Sequence, residues 1–365
     1  MQNKLKAIFF ELDQEHLIEG LSQCTEADLE RCYHQIQRYS QPIVSEQRAS
    51  WQKREIPLVF EPMLSCANAA EHPARPHSKK SAALILAGGQ GSRLGINGPK
   101  GCFPILGKSL FQRLCEKITD KPAAIMTSRL NHNETIVFFR EHLSFGHPLV
   151  LFFSQDTLPL LNEKGRWFWE TPGHIAEGAD GNGSVFTAFE QSGLLQRFID
   201  QGIETVHIVP VDNPLADPFD PVFSSFHAAL KADLSIKCIR LESPNEPTGR
   251  LVYSKNRLAI AEFAELSDAQ REQNLFANTG LLAIDISLMS LLAKQTFPLH
   301  WAWRKTPSGK LAWKGERFIV DALLYAQNAQ AICYPREACF APLKEKSSLA
   351  EIERLLIERE RGNNV

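Results

Sequence analysis

The chain has 365 residues, of which 44% are hydrophobic, so it can bury a large core as one extended domain or as two domains without disulfide or metal support. Its 40 basic and 42 acidic residues nearly cancel, which argues against a general nucleic-acid-binding or membrane-binding surface. The first residues lack the apolar core of a signal peptide, and no apolar run approaches a membrane span. We therefore expect a cytoplasmic protein in which any preference for anions is local.

Residues 1 to about 60 have apolar residues at helical spacing, as in Leu5, Ile8, Phe9 and Leu12, and predict a helical N-terminal segment. Thr25 has the character of a helix N-cap. Residues 61–80 carry prolines, small residues and charges without either periodicity, which predicts a connecting segment. Within this segment we expect His72 and His77 to be solvated rather than metal ligands.

The most informative stretch of the chain runs from residue 84 to residue 112. An apolar strand pattern over residues 82–87 breaks into a glycine-rich turn that contains Gly88, Gly89, Gly91 and Gly95. Glycine permits positive φ and lets backbone N–H groups approach another molecule, and Arg93 and Lys100 add positive charge. This combination predicts binding of a polyphosphate.

Two better-known phosphate motifs do not fit this stretch. The dinucleotide fingerprint GxGxxG fails because the glycine after Gly91 comes one residue late, at Gly95. The kinase-type phosphate loop, GxxxxGK[ST], requires a glycine before its Gly-Lys pair. Counted back from Lys108, Cys102 occupies the place of that glycine, so the motif fails. A turn that merely reverses the chain direction is a weaker alternative, given four glycines and two cations after a buried strand.

From residue 82 onward, strand patterns over residues 123–127, 149–154, 205–211 and 233–239 alternate with helical patterns. This alternation predicts an α/β fold with a mostly parallel sheet flanked by helices. A hairpin around residues 255–256, another strand over residues 278–285, a Trp-rich segment and a charged helix over residues 347–361 follow. We predict a helical segment and linker (1–80), a catalytic domain (81–290) and a small C-terminal subdomain (291–365).

Ligands of such sheets bind beyond the carboxyl ends of the strands, where Gln155 and Asp212 follow two of the predicted strands. A glutamine offers a donor and an acceptor that match the edge of a uracil. A magnesium ion takes oxygen ligands and often only one or two protein carboxylates, so Asp212 is sufficient. The alternative for Asp212 is a carboxylate that caps its own Asp-Asn-Pro turn, and from these residues alone the two are equally good.

The eight cysteines are scattered along the chain without a CxxC pair. Disulfide-rich domains are short and zinc sites need close cysteine pairs, so neither is expected. We predict buried, reduced thiols.

The motif LAGGQGSRLG, followed by PKG and KSLFQ, resembles the signature loop of the eukaryotic-type UDP-sugar pyrophosphorylases, and most of all the UDP-N-acetylglucosamine pyrophosphorylases. The resemblance extends through QDTLP, GADGNGS, VPVDN, the hairpin ending in AEF, and FANTG, as far as about Lys344. It implies a Rossmann-like nucleotidyltransferase fold and a requirement for Mg²⁺.

The resemblance also implies roles for individual residues. The positions that match the family's nucleotide-binding residues are Leu86, Ala87, Gly88, Gly89, Gly91, Gln155, Gly181 and Asn182. Those that match its sugar contacts are Gly249, Glu262 and Asn278, the metal ligand is Asp212, and the cationic catalytic residues are Arg93, Lys100 and Lys314. Lys344 matches a further lysine of the family.

The chain departs from the family pattern at two of these places. The family has an Ala-Gly with an Asn on each side. This chain has Asn278 on one side and Leu281 on the other, so the identity of the sugar is open. The turn before Gly181 contains Gly178 and Ala179 instead of Ala-Pro.

The expected activity is transfer of a uridylyl group from UTP to N-acetylglucosamine 1-phosphate, with glucose 1-phosphate or a broad sugar range as the alternative. UTP and a sugar 1-phosphate are the expected partners, without nucleic acid or membrane. Two rival classes are a small-molecule kinase, which the failed loop spacing disfavours, and a non-catalytic nucleotide-binding regulator, which the presence of Lys100 and Asp212 disfavours.

Overall fold

The structure, a computed structural model, describes residues 1–54, 60–77, 79–118, 120–147 and 149–362. Its main element is an eleven-stranded sheet. Eight of the strands form one row, in the order Ala67–Asn68, Ala329–Tyr334, Leu234–Arg240, Phe276–Asp285, Thr205–Pro210, Ser81–Leu86, Ala123–Ser128 and Val150–Gln155. The hairpin Arg250–Ser254 and Arg257–Ala261 and the short strand Glu61–Pro62 complete the sheet.

The centre of the sheet is parallel. The strand Ser81–Leu86 pairs in parallel with Thr205–Pro210 on one side and with Ala123–Ser128 on the other. The long strand Phe276–Asp285 runs antiparallel to Thr205–Pro210 and to Leu234–Arg240. Both faces of the central strands are buried, which explains their continuous apolar sequence. The predicted α/β fold with a mixed, mostly parallel sheet is confirmed.

Helices connect and cover these strands, and their apolar residues recur at the spacing that faces a sheet. In the helix Leu110–Ile118, for example, Leu110, Leu114 and Ile118 are all buried. The α-helices are Gln2–Glu11, Glu26–Ile36, Gln41–Gln52, Leu110–Ile118, His132–Glu141, Val185–Gln191, Leu194–Asp200, Pro221–Ala229, Asp268–Gln273, Ile286–Leu292, Arg336–Cys339 and Leu349–Gly362. Among the described helices, none combines the length and apolar character needed to cross a bilayer.

The chain divides into two compact units, each built from separate stretches of sequence. The first consists of Met1–Pro57, Asp156–Ser184 and Thr296–Ile319, and the second of Leu58–Gln155, Val185–Gln295 and Val320–Val365. These units do not follow the predicted boundaries at residues 80 and 290, and residues 291–365 contribute to both. The three consecutive domains therefore remain a prediction.

The N-terminal helices form the core of the first unit, as the helical spacing predicts. Leu5 and Phe9 pack in one apolar cluster with Trp167 and Ile175. Gln35 joins the same two stretches, because its side-chain amide donates to the carbonyl of Ile175 at 2.7 Å and its oxygen accepts from the Ile175 N–H at 2.9 Å. Helix Glu26–Ile36 begins at Thr25, whose hydroxyl accepts from the N–H of Asp28 at 3.2 Å, so the predicted cap is confirmed.

Residues 61–80 are more than a connecting segment, so that prediction is wrong in part. Glu61–Pro62 pairs with the hairpin strand Arg250–Ser254, and Ala67–Asn68 pairs with Ala329–Tyr334. Strands of two residues are too short to show an alternating pattern in the sequence. His72 packs edge-on against the ring of Phe226, with ring centroids 5.0 Å apart, instead of standing free in solvent.

All eight cysteines are free thiols, as predicted. The prediction that all of them are buried is wrong for Cys24, Cys66, Cys102 and Cys333, which are partly exposed.

Candidate active site

The glycine-rich loop leaves the sheet directly after the strand Ser81–Leu86 and closes on itself through its own backbone. The N–H of Gly91 donates to the carbonyl of Gly98 at 2.9 Å, and the N–H of Lys100 donates to the carbonyl of Gly89 at 3.1 Å. Gly95 has φ +74°, a conformation that favours glycine. A side chain at Gly89 would meet no protein atom within 4 Å, so the backbone there is open to a ligand.

Asn131 holds this loop, and sequence analysis missed it. Its side-chain amide donates to the carbonyls of Ala87 and Gly89, at 2.9 and 3.1 Å, while its oxygen accepts from the N–H of Ser128 at 2.8 Å. It is buried, with 1% exposure, just before the helix His132–Glu141. An asparagine at that place usually caps its own helix, which is the signal that could have drawn attention to it. Here the side chain binds the neighbouring loop instead.

Replacing Asn131 with alanine is therefore expected to loosen the glycine loop. Two loop carbonyls would each lose a hydrogen bond, although that of Gly89 keeps the bond from the Lys100 N–H. We expect a loss of about 1–3 kcal/mol in the free energy of unfolding together with a higher KM for UTP, the expected nucleotide. Denaturant unfolding and steady-state kinetics measure both. The matched control is Asn133→Ala, on the exposed side of the same helix. Equal effects of the two substitutions would show that Asn131 does not position the loop.

Gln155 lies against the glycine loop, so the structure brings together two of the predicted nucleotide-binding elements. A Cβ at Gly88 would stand 2.9 Å from Nε2 of Gln155, which leaves room for no side chain at residue 88. Gln155 ends the strand Val150–Gln155, two strands away from Ser81–Leu86, and is 5% exposed. Leu86 is the last residue of the strand Ser81–Leu86, and the buried Ala87 leads from it into the loop.

Lys100 and Asp212 form an ion pair at the carboxyl end of the sheet. Nζ of Lys100 lies 3.0 Å from Oδ2 of Asp212, and their side chains are 15% and 21% exposed. Asp212 follows the strand Thr205–Pro210, the direct neighbour of Ser81–Leu86, so the pair stands beside the glycine loop. Arg93 does not join this pair in the described part of the chain, and its side chain is exposed in the turn Ser92–Leu94.

The turn that carries Asp212 is fixed by its neighbour Asn213, which is fully buried. The Asn213 amide donates to the carbonyl of Cys339 at 2.7 Å, and its oxygen accepts from the N–H groups of Ala341 and Leu215 at 3.1 and 3.3 Å. The backbone carbonyl of Asp212 accepts from the N–H of Leu343 at 2.8 Å. The carboxylate of Asp212 is thus left for Lys100 and for a ligand.

The three predicted sugar-binding residues also lie together, on the strand Phe276–Asp285 and the hairpin that pairs with it. The N–H of Asn278 donates to the carbonyl of Gly249 at 2.9 Å, and a Cβ at Gly249 would stand 3.2 Å from Oε1 of Glu262. The side-chain oxygen of Asn278 accepts from the N–H of Gly280 at 2.7 Å. Leu281, which stands where the family has its second Asn, is 2% exposed and packs in the apolar core.

Gly181, Asn182 and Lys314 belong to the first compact unit, whereas the other candidates belong to the second. Gly181 has φ +99°, and a Cβ there would stand 2.3 Å from the carbonyl oxygen of Arg317. The side-chain oxygen of Asn182 accepts from the N–H of Ile319 at 2.9 Å. The glycine turn is therefore packed against the segment that follows Lys314.

Lys314 lies beside the same turn. A Cβ at Gly178 would stand 3.0 Å from Cε of Lys314, so the small residue at position 178 gives the lysine its place. Nζ of Lys314 lies 2.8 Å from Oε1 of Glu316. Nearby, burial raises the pKa of Asp180 to about 7, although its carboxylate accepts from the hydroxyl of Ser184 at 2.8 Å.

Among the predicted site residues, Asp212 is the one expected to hold a metal ion. No group of three or more His, Cys, Asp or Glu side chains suited to a metal ion occurs among the residues that the structure describes. A magnesium ion does not require one, since phosphate and water oxygens commonly fill most of its positions. The partly exposed carboxylate of Asp212, beside the glycine loop for which polyphosphate binding is predicted, fits that requirement.

A glycine loop after a central strand and an aspartate after the adjacent strand form the arrangement that is typical of nucleotide-binding α/β proteins. The sequence model of the UTP–glucose-1-phosphate uridylyltransferase family matches residues 30–364, and the chain belongs to this family of UDP-sugar pyrophosphorylases. A probable UDP-N-acetylglucosamine pyrophosphorylase of Schizosaccharomyces pombe is 32% identical over 73% of this chain and 66% of its own length. The UDP-N-acetylglucosamine pyrophosphorylase of Saccharomyces cerevisiae is 31% identical over 72% of this chain and 64% of its own. The chain thus spans about two thirds of the length of these relatives.

The fold is likewise similar to that of solved structures. A crystal structure of the UDP-N-acetylglucosamine pyrophosphorylase of Trypanosoma brucei with an inhibitor superimposes with a TM-score of 0.81 at 25% identity, over 98% of this chain and 84% of that one. A UDP-glucose pyrophosphorylase of Leishmania major, at 18% identity and a TM-score of 0.75, shares the fold.

Proposed function

We propose that the protein transfers a uridylyl group from UTP to N-acetylglucosamine 1-phosphate, giving UDP-N-acetylglucosamine and pyrophosphate. The observation that carries the proposal is the Lys100–Asp212 pair beside an open glycine loop, in a chain of the UDP-sugar pyrophosphorylase family. The names of the relatives favour the acetylated sugar.

In this reaction a phosphate oxygen of the sugar 1-phosphate attacks the α-phosphorus of UTP. The bond from the α-phosphorus to the oxygen bridging to the β-phosphorus breaks, and pyrophosphate leaves with that electron pair. The attacking oxygen is already anionic, so no general base is required, and catalysis depends on positioning and charge neutralisation. We assign binding of the leaving phosphates to the loop N–H groups, Arg93 and Lys100.

We further propose that Asp212 would hold a magnesium ion. When bound, the ion would supply charge neutralisation on the phosphate oxygens. Gln155 would recognise the uracil. Gly181 and Asn182 match positions at which the family contacts the nucleotide, and Lys314 matches a position at which it meets the incoming phosphate. The roles of Gly181, Asn182 and Lys314 rest on the family resemblance.

The choice of sugar is tested by comparing two acceptors. We expect kcat/KM to be at least about tenfold higher for N-acetylglucosamine 1-phosphate than for glucose 1-phosphate, because an acetamido group can satisfy polar groups that a hydroxyl leaves unpaired. A clear preference for glucose 1-phosphate would overturn the assignment and favour the reaction for which the family is named.

Asn278→Ala tests the residue given this role. We expect the ratio of the two kcat/KM values to fall by about tenfold, the cost of a lost hydrogen bond to the acetamido group. The KM for UTP, which binds at the glycine loop, is the internal control. An unchanged ratio would remove Asn278 from sugar recognition.

A further inference from the structure

Three cysteines that are far apart in sequence meet in the main sheet, next to the strand that carries Asn278. Cys238 and Cys333 are direct partners in the parallel strands Leu234–Arg240 and Ala329–Tyr334. Cys66 immediately precedes the strand Ala67–Asn68, and its Sγ lies 3.5 Å from Sγ of Cys238.

The backbone geometry of Cys238 and Cys333 is compatible with a disulfide. Neighbouring strands are about 4.8 Å apart, which lies within the range of about 4.4–6.8 Å between the Cα atoms of bonded cysteines. Residues directly opposite each other on paired strands also point to the same face of the sheet. Neither strand has to change its register for the bond to form.

Two of the three thiols, those of Cys66 and Cys333, are reachable from solvent. Cys66 lines a cavity of about 500 Å³ together with Gln330 and Ala331, and Cys333 is partly exposed. The neighbouring Cys238 thiol lowers the pKa of Cys333 from its ordinary value, and the charge of Arg240 contributes in the same direction, whereas burial opposes the shift. Thiolates are the reactive form of cysteine. By contrast, burial raises the pKa of Cys102, which is also partly exposed, to about 12.

We propose that Cys66, Cys238 and Cys333 form a thiol-oxidation site, at which a peroxide oxidises Cys333 and a reversible disulfide then joins it to Cys238. Cys66 is the third thiol of the site, and its sulfur is in contact with that of Cys238. By thiol–disulfide exchange it can replace Cys333 as the partner of Cys238.

The chemistry balances with hydrogen peroxide as the oxidant. The Cys333 thiolate attacks one peroxide oxygen, the O–O bond breaks, and the sulfur becomes a sulfenic acid while the other oxygen leaves as hydroxide and is protonated to water. The Cys238 sulfur then attacks the Cys333 sulfur and gives up its proton. The S–OH bond breaks, and the hydroxide leaves as a second water molecule. A dithiol reductant reverses the bond by exchange.

The site adjoins the proposed sugar-binding residues. Cys238 is the cross-strand partner of Asn278 in the antiparallel pairing with Phe276–Asp285. We expect the disulfide to displace the strand Phe276–Asp285 and with it Asn278. The KM for the sugar 1-phosphate should therefore rise several-fold. This consequence rests on the proposed function, whereas the thiol chemistry does not.

The experiment uses the full chain at neutral pH, treated with hydrogen peroxide and followed by free-thiol titration and disulfide peptide mapping. We expect wild type to fall from eight titratable thiols to six, with one bond between Cys238 and Cys333 or Cys66, and to recover all eight with dithiothreitol. Cys333→Ser should lose thiols at least about tenfold more slowly, because it lacks the thiolate. Cys102→Ser, the matched control, should oxidise at the wild-type rate.

Three results would overturn the oxidation site: eight thiols remaining after treatment, a bond that maps to other cysteines, or equal rates in wild type and Cys333→Ser. A mapped bond with an unchanged KM for the sugar 1-phosphate would overturn only the coupling to Asn278. Absence of uridylyltransferase activity in the reduced protein would contradict the proposed function, while the thiol map would still decide the oxidation site.

Discussion

Lys100→Ala is expected to lower kcat for sugar-nucleotide formation by about a hundredfold or more. The ammonium group lies 3.0 Å from Asp212, beside the open backbone of the glycine loop, where the charge of a leaving pyrophosphate would develop. A fixed positive charge stabilises that developing charge more than it stabilises the bound substrate, so the loss should appear in kcat. Release of pyrophosphate at saturating UTP and sugar 1-phosphate measures it.

The fold should tolerate this substitution. The side chains of Lys100 and Asp212 both reach solvent, and such ion pairs contribute about 1 kcal/mol or less to stability. The matched control is Lys108→Ala, eight residues further on, which removes a more exposed ion pair with Glu116. We expect Lys108→Ala to keep wild-type activity. A Lys100→Ala enzyme within twofold of wild type would exclude Lys100 from the site.

The parts of the site that could be predicted from the sequence are those whose chemistry is local. The apolar run of the buried strand Ser81–Leu86 is recognisable in the sequence. The glycines after it indicate where the backbone turns and can be approached by a ligand. Asp212 stands out for the same reason, as an acid at the tip of an apolar strand. In parallel sheets the carboxyl ends of adjacent strands share one edge, so a loop and an acid separated by more than a hundred residues could be expected to meet.

The parts that could not be predicted depend on pairing between distant segments. Nothing around Asn131 shows that its amide holds the carbonyls of Ala87 and Gly89, since its local pattern is that of a helix cap. Cys66 and Cys238 are 172 positions apart, and their contact follows from strand order, which no single segment determines. The compact units escaped prediction for the same reason, because residues 1–57 find their partners at residues 156–184 and 296–319.

Asp212→Asn is expected to abolish magnesium-dependent turnover while the fold survives. The substitution keeps the shape of the side chain and removes the charge that a magnesium ion needs from its protein ligand. It also leaves Lys100 without its partner, which costs little at a partly exposed position. Pyrophosphate release as a function of Mg²⁺ concentration, together with the thermal midpoint, tests the two halves of the expectation.

If Asp212 instead caps its own turn, the opposite result is expected. A substitution of the neighbouring Asn213 distinguishes the two roles. The turn is held by the fully buried Asn213 side chain, which bonds the carbonyl of Cys339 and the N–H of Ala341. Asn213→Ala should therefore lower the free energy of unfolding by about 1–3 kcal/mol, because it leaves buried partners unsatisfied. Asp212→Asn should leave the thermal midpoint nearly unchanged. If Asp212→Asn instead unfolds the protein as Asn213→Ala does, or keeps activity within twofold of wild type at saturating Mg²⁺, the aspartate serves the turn and not the metal.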